Sequence, residues 1–107
     1  MPVETLTASE LKTRLEQGDD LLMPDVREPH EYDYAHIAGS ILIPLQLIPL
    51  RLGEIDPERH VVAICHHGIR SMQAARYLAY SGFTRVSNLS GGIDAWSVNC
   101  DSTVPRY

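Results

Sequence analysis

Residues 65–71 read Cys-His-His-Gly-Ile-Arg-Ser, entered from an apolar run at 61–64 and left through a helix-like stretch at 72–80. A thiol placed where a strand gives way to a helix can do chemistry that one among apolar side chains alone cannot. Backbone N–H groups of a short loop curling into a helix N-terminus converge on one point and form an anion-binding nest. The helix dipole adds partial positive charge there. A cysteine so placed can have its pKa lowered from about 8.5 to roughly 3.5–7.5. Gly68 permits a tight or left-handed turn, Arg70 supplies a permanent cation, and Ser71 is a natural N-cap for the helix. Together these residues predict a thiolate nucleophile beside an anion site. Taken singly, each has a plainer reading: Cys65 as a small buried apolar group, and Arg70 as a solvated helix-start residue. His66 and His67 suggest a metal, but adjacent side chains do not normally share one ion, and no third ligand lies nearby in sequence.

The rest of the chain must position that turn. A length of 107 residues, 44% hydrophobic and 21% charged, predicts one globular domain over 1–107 with an ordinary core. A net charge of -5 argues against nucleic acid or an anionic membrane as the main partner. Two cysteines, Cys65 and Cys100, make neither a disulfide framework nor a zinc spacing. The first residues lack a basic segment followed by an apolar core, so no secretory signal is expected and a reducing cytoplasm is the default. The longest apolar stretch, 41–50, is broken by Pro44, Gln46 and Pro49 and is too short to span a bilayer. It reads as core, with a docking patch near the loop as the lesser alternative.

Thr7 and Glu10 form a capping-box pattern ahead of a helix that Gly18 can stop. Strands are expected at 21–26, 40–44, 60–65 and 85–89, with a short helical turn within 27–39. Pro24 is awkward in the first of these strands, because it donates no ladder hydrogen bond. Further helices are expected from Pro49, from Ser71 to a stop at Gly82, and after the glycine pair Gly91–Gly92. Strands alternating with helices imply parallel pairing and a sheet covered on both faces. In such sheets ligands sit beyond the carboxyl ends of the strands, which is where Cys65 falls.

Three segments, 25–44, 65–71 and 91–96, resemble those of the rhodanese-like sulfurtransferase domain, in the same order and over nearly the whole chain. The resemblance implies an α/β fold with about five mostly parallel strands and helices on both faces. It implies that Cys65 takes a sulfane sulfur from a donor such as thiosulfate or a persulfide and carries it as its own persulfide. His66, His67, Gly68, Ile69 and Arg70 would cradle that sulfur with their backbone amides, and Ser71 would close the loop. Asp25 and Arg27 match the segment that supports the loop. Glu28 and His36 match motif positions read as a buried structural pairing, and Gly91, Gly92 and Trp96 match the closing motif. Two positions depart from the pattern. Ala35 stands where glycine is usual, and Pro24 replaces an apolar residue and can bend the strand end carrying Asp25 and Arg27.

The implied fold is similar to that of dual-specificity phosphatases and some arsenate reductases, whose cysteine loops hold five residues between Cys and Arg. Here only four intervene, which suits a sulfur atom better than a tetrahedral phosphate. A non-catalytic interaction module is the other alternative, and an intact cysteine loop speaks against it. The implied reaction is ping-pong covalent catalysis without metal or organic cofactor. Its acceptor would be cyanide in vitro and a thiol or protein sulfur carrier in cells. The residues from 101 onward resemble the end of domains fused to adenylating enzymes, which points toward a protein acceptor. Cys100 reads as an incidental thiol rather than a relay.

Overall fold

The strand pairs of the computed structural model, which describes residues 3–107, all run parallel. Six short strands occur: β1 (Glu4–Leu6), β2 (Leu21–Leu22), β3 (Pro24–Asp25), β4 (Ile41–Leu42), β5 (His60–Ala63) and β6 (Arg85–Leu89). Four form a sheet in the order β1-β6-β5-β2, and β3 pairs with β4 as a second piece. A bridge between Asp25 and Ile64 joins the two pieces. The sequence pattern had no strand at β1, whose three residues include two exposed ones and so carry almost no hydrophobic signal.

Pro24 accounts for the division into two pieces. Leu21 lies opposite His60, Leu22 opposite Val61 and Asp25 opposite Ile64, so the register never slips. Pro24 accepts from Ile64 N–H, and Val26 N–H donates to Ile64, but Pro24 has no N–H of its own to give β5. One rung is lost and the strand continues, with Asp25 and Arg27 carried on an undisplaced backbone.

Alternate residues of β5 and β6 face opposite cores, as the twofold period of a strand requires. Val61, Ala63, Cys65 and Val86 pack with Ala74, Ala75 and Leu78 of helix α3 (Ile69–Tyr80). Val62, Ile64 and Leu89 pack with Leu11 of α1 (Ala8–Glu16) and with Ile93 and Trp96 of α4 (Gly92–Asn99). Helices therefore cover both faces. Thr7 and Glu10 close the capping box on α1, and Gly82 follows α3 with φ +99°. A short α2 (Pro29–Tyr34) fills the segment read as a helical turn.

The helix expected from Pro49 forms, as a 3-10 helix over Pro49–Glu54. One helix expectation changes. Helix α3 begins at Ile69 with Gly68 as its cap residue, so Ser71 lies inside the first turn and is not the N-cap. The 41–50 stretch is divided: Ile43, Pro44 and Ile48 are buried, whereas Ile41, Gln46, Pro49 and Leu50 are exposed, Leu50 at 81%. Among the described residues no helix is long and apolar enough to cross a membrane.

His60 opens β5 half-buried, its Nε2 2.7 Å from Ser87 Oγ. Burial, with Arg85 second, holds its pKa below the ordinary 6.5. The unfolded chain then takes up protons before the folded one, so stability is full above about pH 6.5 and falls as the pH drops through that value. Urea midpoints at pH 8 and pH 5.5 are expected to differ less in His60→Gln than in the wild type. An equal difference in both proteins contradicts this role for His60.

Candidate functional site

Beyond β5 the chain runs through Ile64 to Cys65, which is 1% exposed, and then turns sharply into α3. Gly68 makes the turn with φ +104°, and a Cβ there would press on the Leu89 carbonyl oxygen at 3.3 Å. That conformation swings Gly68 N–H back to donate to Cys65 Sγ at 3.0 Å. Ser71 Oγ lies 3.2 Å from the same sulfur and also donates to Asn88 Oδ1. Asn88, 4% exposed on β6, returns a bond from Nδ2 to Gly68 O at 3.1 Å. The first intrahelical bond of α3 is Met72 N–H to Gly68 O, so helix geometry leaves the amides of Ile69, Arg70 and Ser71 without intrahelical acceptors.

A second helix holds the turn from the other side. Ile93 N–H donates to Cys65 O at 2.9 Å, and Asp94 N–H to His66 O at 3.2 Å. The N-terminus of α4 can come this close only because Gly92 has no side chain. A Cβ at Gly92 would overlap the carbonyl oxygens of both Cys65 and His66.

Arg70 turns its guanidinium to Glu31 in a bidentate pair, Nη1 to Oε2 at 2.8 Å and Nη2 to Oε1 at 2.9 Å. Bidentate geometry is the strong form of such a pair. It holds the Glu31 carboxyl down to about 2, chiefly through Arg70, and raises Arg70 further above its ordinary value. Glu31 also accepts from the Tyr107 hydroxyl at 2.8 Å and from Glu28 N–H at 2.9 Å.

Arg27 and Asp25 are both fully buried and paired at 2.7 Å. Arg27 donates as well to Ala35 O at 2.7 Å and to Tyr107 Oη at 2.8 Å. Burial opposes the charge on Arg27, but Asp25 and Tyr107 outweigh it and its pKa rises. Tyr107 therefore links the buried pair to Glu31 and, through Glu31, to Arg70. Its ring also stacks on His66 at 3.9 Å and 6°. His66 stacks in turn on His67 at 3.9 Å, and its Nε2 is buried without a hydrogen-bond partner. Burial, with His67 second, lowers the pKa of His66.

The structure thus gathers Cys65, His66, Gly68, Arg70 and Ser71 into one turn, with His67 exposed and Ile69 75% exposed at its rim. The Arg27 side chain is linked to the turn through Tyr107 and Glu31, while the Asp25 backbone pairs directly with Ile64, one residue before Cys65. Glu28 and His36 do not form a buried pairing. Glu28 is half-buried ahead of α2, while His36 is exposed and stacked on Tyr32 at 4.1 Å. Ala35 has extended backbone (φ −159°), which any residue adopts. Cys100 packs with the α1–α4 core, on the opposite sheet face from Cys65. Sequence reasoning missed Glu31, Asn88 and Tyr107. Asn88 alone carried a signal, as an asparagine within a strand-like run, where that residue is depleted.

A parallel α/β sheet with a cysteine turn at the carboxyl end of a central strand defines a small class of cysteine-loop domains. The rhodanese-like domain model matches residues 7–99. A sulfurtransferase of Allochromatium vinosum is 41% identical over 95 residues, covering 89% of this chain and 89% of that protein. A probable adenylyltransferase/sulfurtransferase of Mycobacterium tuberculosis, MoeZ, is 39% identical over 105 residues, covering 96% of this chain and 27% of that protein. The crystal structure of a rhodanese-like domain protein from Staphylococcus aureus superposes with a TM-score of 0.85 at 28% identity, covering 98% of this chain and 99% of that one. The chain belongs to the rhodanese-like domain family.

Gly92→Ala is expected to destabilise the protein by on the order of 3 kcal/mol, since backbone carbonyls must move to admit the methyl group. Gly53→Ala, within a short helix and with nothing inside 4 Å, serves as control and is expected to be neutral or stabilising by up to about 1 kcal/mol. Urea unfolding of the two variants checks this, and equal midpoints would contradict it.

Proposed function

We infer that this chain is a sulfurtransferase carrying sulfane sulfur as a persulfide on Cys65. The observation that supports this best is the Gly68 N–H donating to Cys65 Sγ at the mouth of α3. A donor already aimed at the sulfur can hydrogen-bond charge that develops during transfer, and the helix start adds positive potential. The Cys65 thiolate attacks the outer sulfur of a donor, of which thiosulfate is the simplest. The donor's S–S bond breaks with its electron pair leaving on sulfite, and Cys65 is left as Cys–S–S⁻. A thiolate acceptor, or cyanide in vitro, then takes the outer sulfur and returns the Cys65 thiolate. Charge is conserved in each step, and the electrons stay paired on sulfur, so the reaction calls for no metal or organic cofactor.

The anion stays within reach of the same donors before and after loading, which is electrostatic stabilisation without reorganisation. Ser71 has one hydroxyl proton and two acceptors within reach, Asn88 Oδ1 and Cys65 Sγ, so it can turn to the sulfur when charge develops there. His66, His67, Ile69 and Arg70 contribute backbone to the cradle, and Asp25 and Arg27 keep it in shape. The cytoplasm suits a thiol that must stay reduced between turnovers. The adenylyltransferase/sulfurtransferase relative favours a protein sulfur carrier as acceptor. A phosphatase reading is disfavoured by the four-residue spacing between Cys65 and Arg70.

Incubation with excess thiosulfate followed by intact and peptide mass measurement is expected to show one added sulfur on Cys65. Cyanide should remove it, and Cys65→Ala should never acquire it. A protein that loads from no sulfane donor yet hydrolyses phosphate esters would overturn the reading.

A further inference from the structure

Three guanidinium groups stand around the cysteine turn, and a carboxylate holds each of them. Arg27 is held by Asp25 at 2.7 Å, Arg70 by Glu31 at 2.8 Å, and Arg106 by Asp94 at 2.8 Å. Asp94 is part of the turn's own support, since its amide binds His66 O. The Arg70 pair is the one that matters most, because Arg70 belongs to the turn. Glu31 is committed in full: Oε1 takes Arg70 Nη2 and the Tyr107 hydroxyl, and Oε2 takes Arg70 Nη1 and Glu28 N–H. Its side chain is only 11% exposed, so water screens the pair weakly on that side.

The amides at the turn can stabilise one anionic sulfur. A small dianion such as thiosulfate brings a second charge, which those amides meet only as neutral dipoles. A net cation beside the turn would favour that charge, in a protein whose net charge is already -5. Paired with Glu31, Arg70 keeps N–H groups free to bond but offers that charge no net cation. Beside the pair, Glu31 and Tyr107 also line a groove of about 370 Å³ together with His30 and Tyr34, whose side chains offer an organic group aromatic surface.

We propose that Glu31 is a specificity-determining residue: by sequestering Arg70 it turns the site away from dianionic thiosulfate and toward sulfane donors of a single charge with an organic body. Organic persulfides and thiosulfonates are of this class. The proposal rests on the persulfide reading of Cys65. The transfer has the same balance for either donor. With benzenethiosulfonate, the Cys65 thiolate bonds to the terminal sulfur and the S–S pair leaves on benzenesulfinate. With thiosulfate, the pair leaves on sulfite.

These two probes share their reacting bond and differ by one charge, so the ratio of their kcat/KM values reads the cation available to the donor. Glu31→Gln is expected to raise the thiosulfate-to-benzenethiosulfonate ratio roughly tenfold, the size of one additional charge contact in partly screened surroundings. A second measurement needs no variant. In the wild type the KM for thiosulfate should not rise between about 0.05 and 0.5 M salt, because the guanidinium at the turn is already paired. An unchanged ratio in Glu31→Gln, or a wild-type KM for thiosulfate that climbs several-fold with salt, overturns the proposal while the persulfide reading stands. Failure of both donors to load Cys65 in the wild type overturns the two together.

Discussion

Asp25 and Arg27 are an ion pair with no solvent exposure on either side chain, and the cysteine site is assembled around it. A buried charge is tolerated only when its partner and its remaining hydrogen bonds are present. Arg27 meets that demand by recruiting the carbonyl of Ala35, the hydroxyl of Tyr107 and two oxygens of Asp25. Each recruit fixes a different piece of chain: the end of α2, the 101–107 segment and the tip of β3. Removing one partner alone would leave the other charge buried and uncompensated, at a cost of about 3–5 kcal/mol. The pair is therefore a constraint on geometry more than a source of stability.

From that pair the order passes outward in short steps. Tyr107 has one proton to give, and it goes to Glu31 while the oxygen receives Arg27. Glu31 fixes Arg70, and Arg70 ends the cysteine turn. From the opposite side, Gly92 lets the N-terminus of α4 bind the carbonyls of Cys65 and His66. From below, Asn88 bridges Gly68 and Ser71. The turn is thus held at both ends and on its floor, by contacts that aim Gly68 N–H at the sulfur and leave the next three amides without intrahelical acceptors. A rigid cradle of this kind is what electrostatic stabilisation without reorganisation requires.

What is legible in the sequence follows from how local the responsible interaction is. Strand β5 and helix α3 announce themselves because burial on both faces and a helical apolar stripe are written within a dozen residues. The Thr7–Glu10 capping box is local for the same reason. Strand β1 is not legible, since its pairing with β6 supplies what its own short, half-exposed sequence lacks. Cys65, Gly68 and Arg70 can be picked out as a group, but Arg70's partner lies 39 residues earlier and Arg27 meets Tyr107 across 80 residues. No pattern within a segment records such a meeting. Ser71 shows a further limit: its type suits a helix cap, yet the left-handed Gly68 starts the helix sooner and turns Ser71 inward to the sulfur.

On the proposed reading, the amides of one turn hold the charge of one sulfur. Backbone ¹⁵N–¹H spectra of the protein before and after persulfide loading address it residue by residue. The account predicts downfield movement of the amide protons of Gly68, Ile69, Arg70 and Ser71 on loading, reversed by cyanide and absent in Cys65→Ser. A protein loaded on Cys65 whose largest shifts fall elsewhere, with these four amides unmoved, would contradict it.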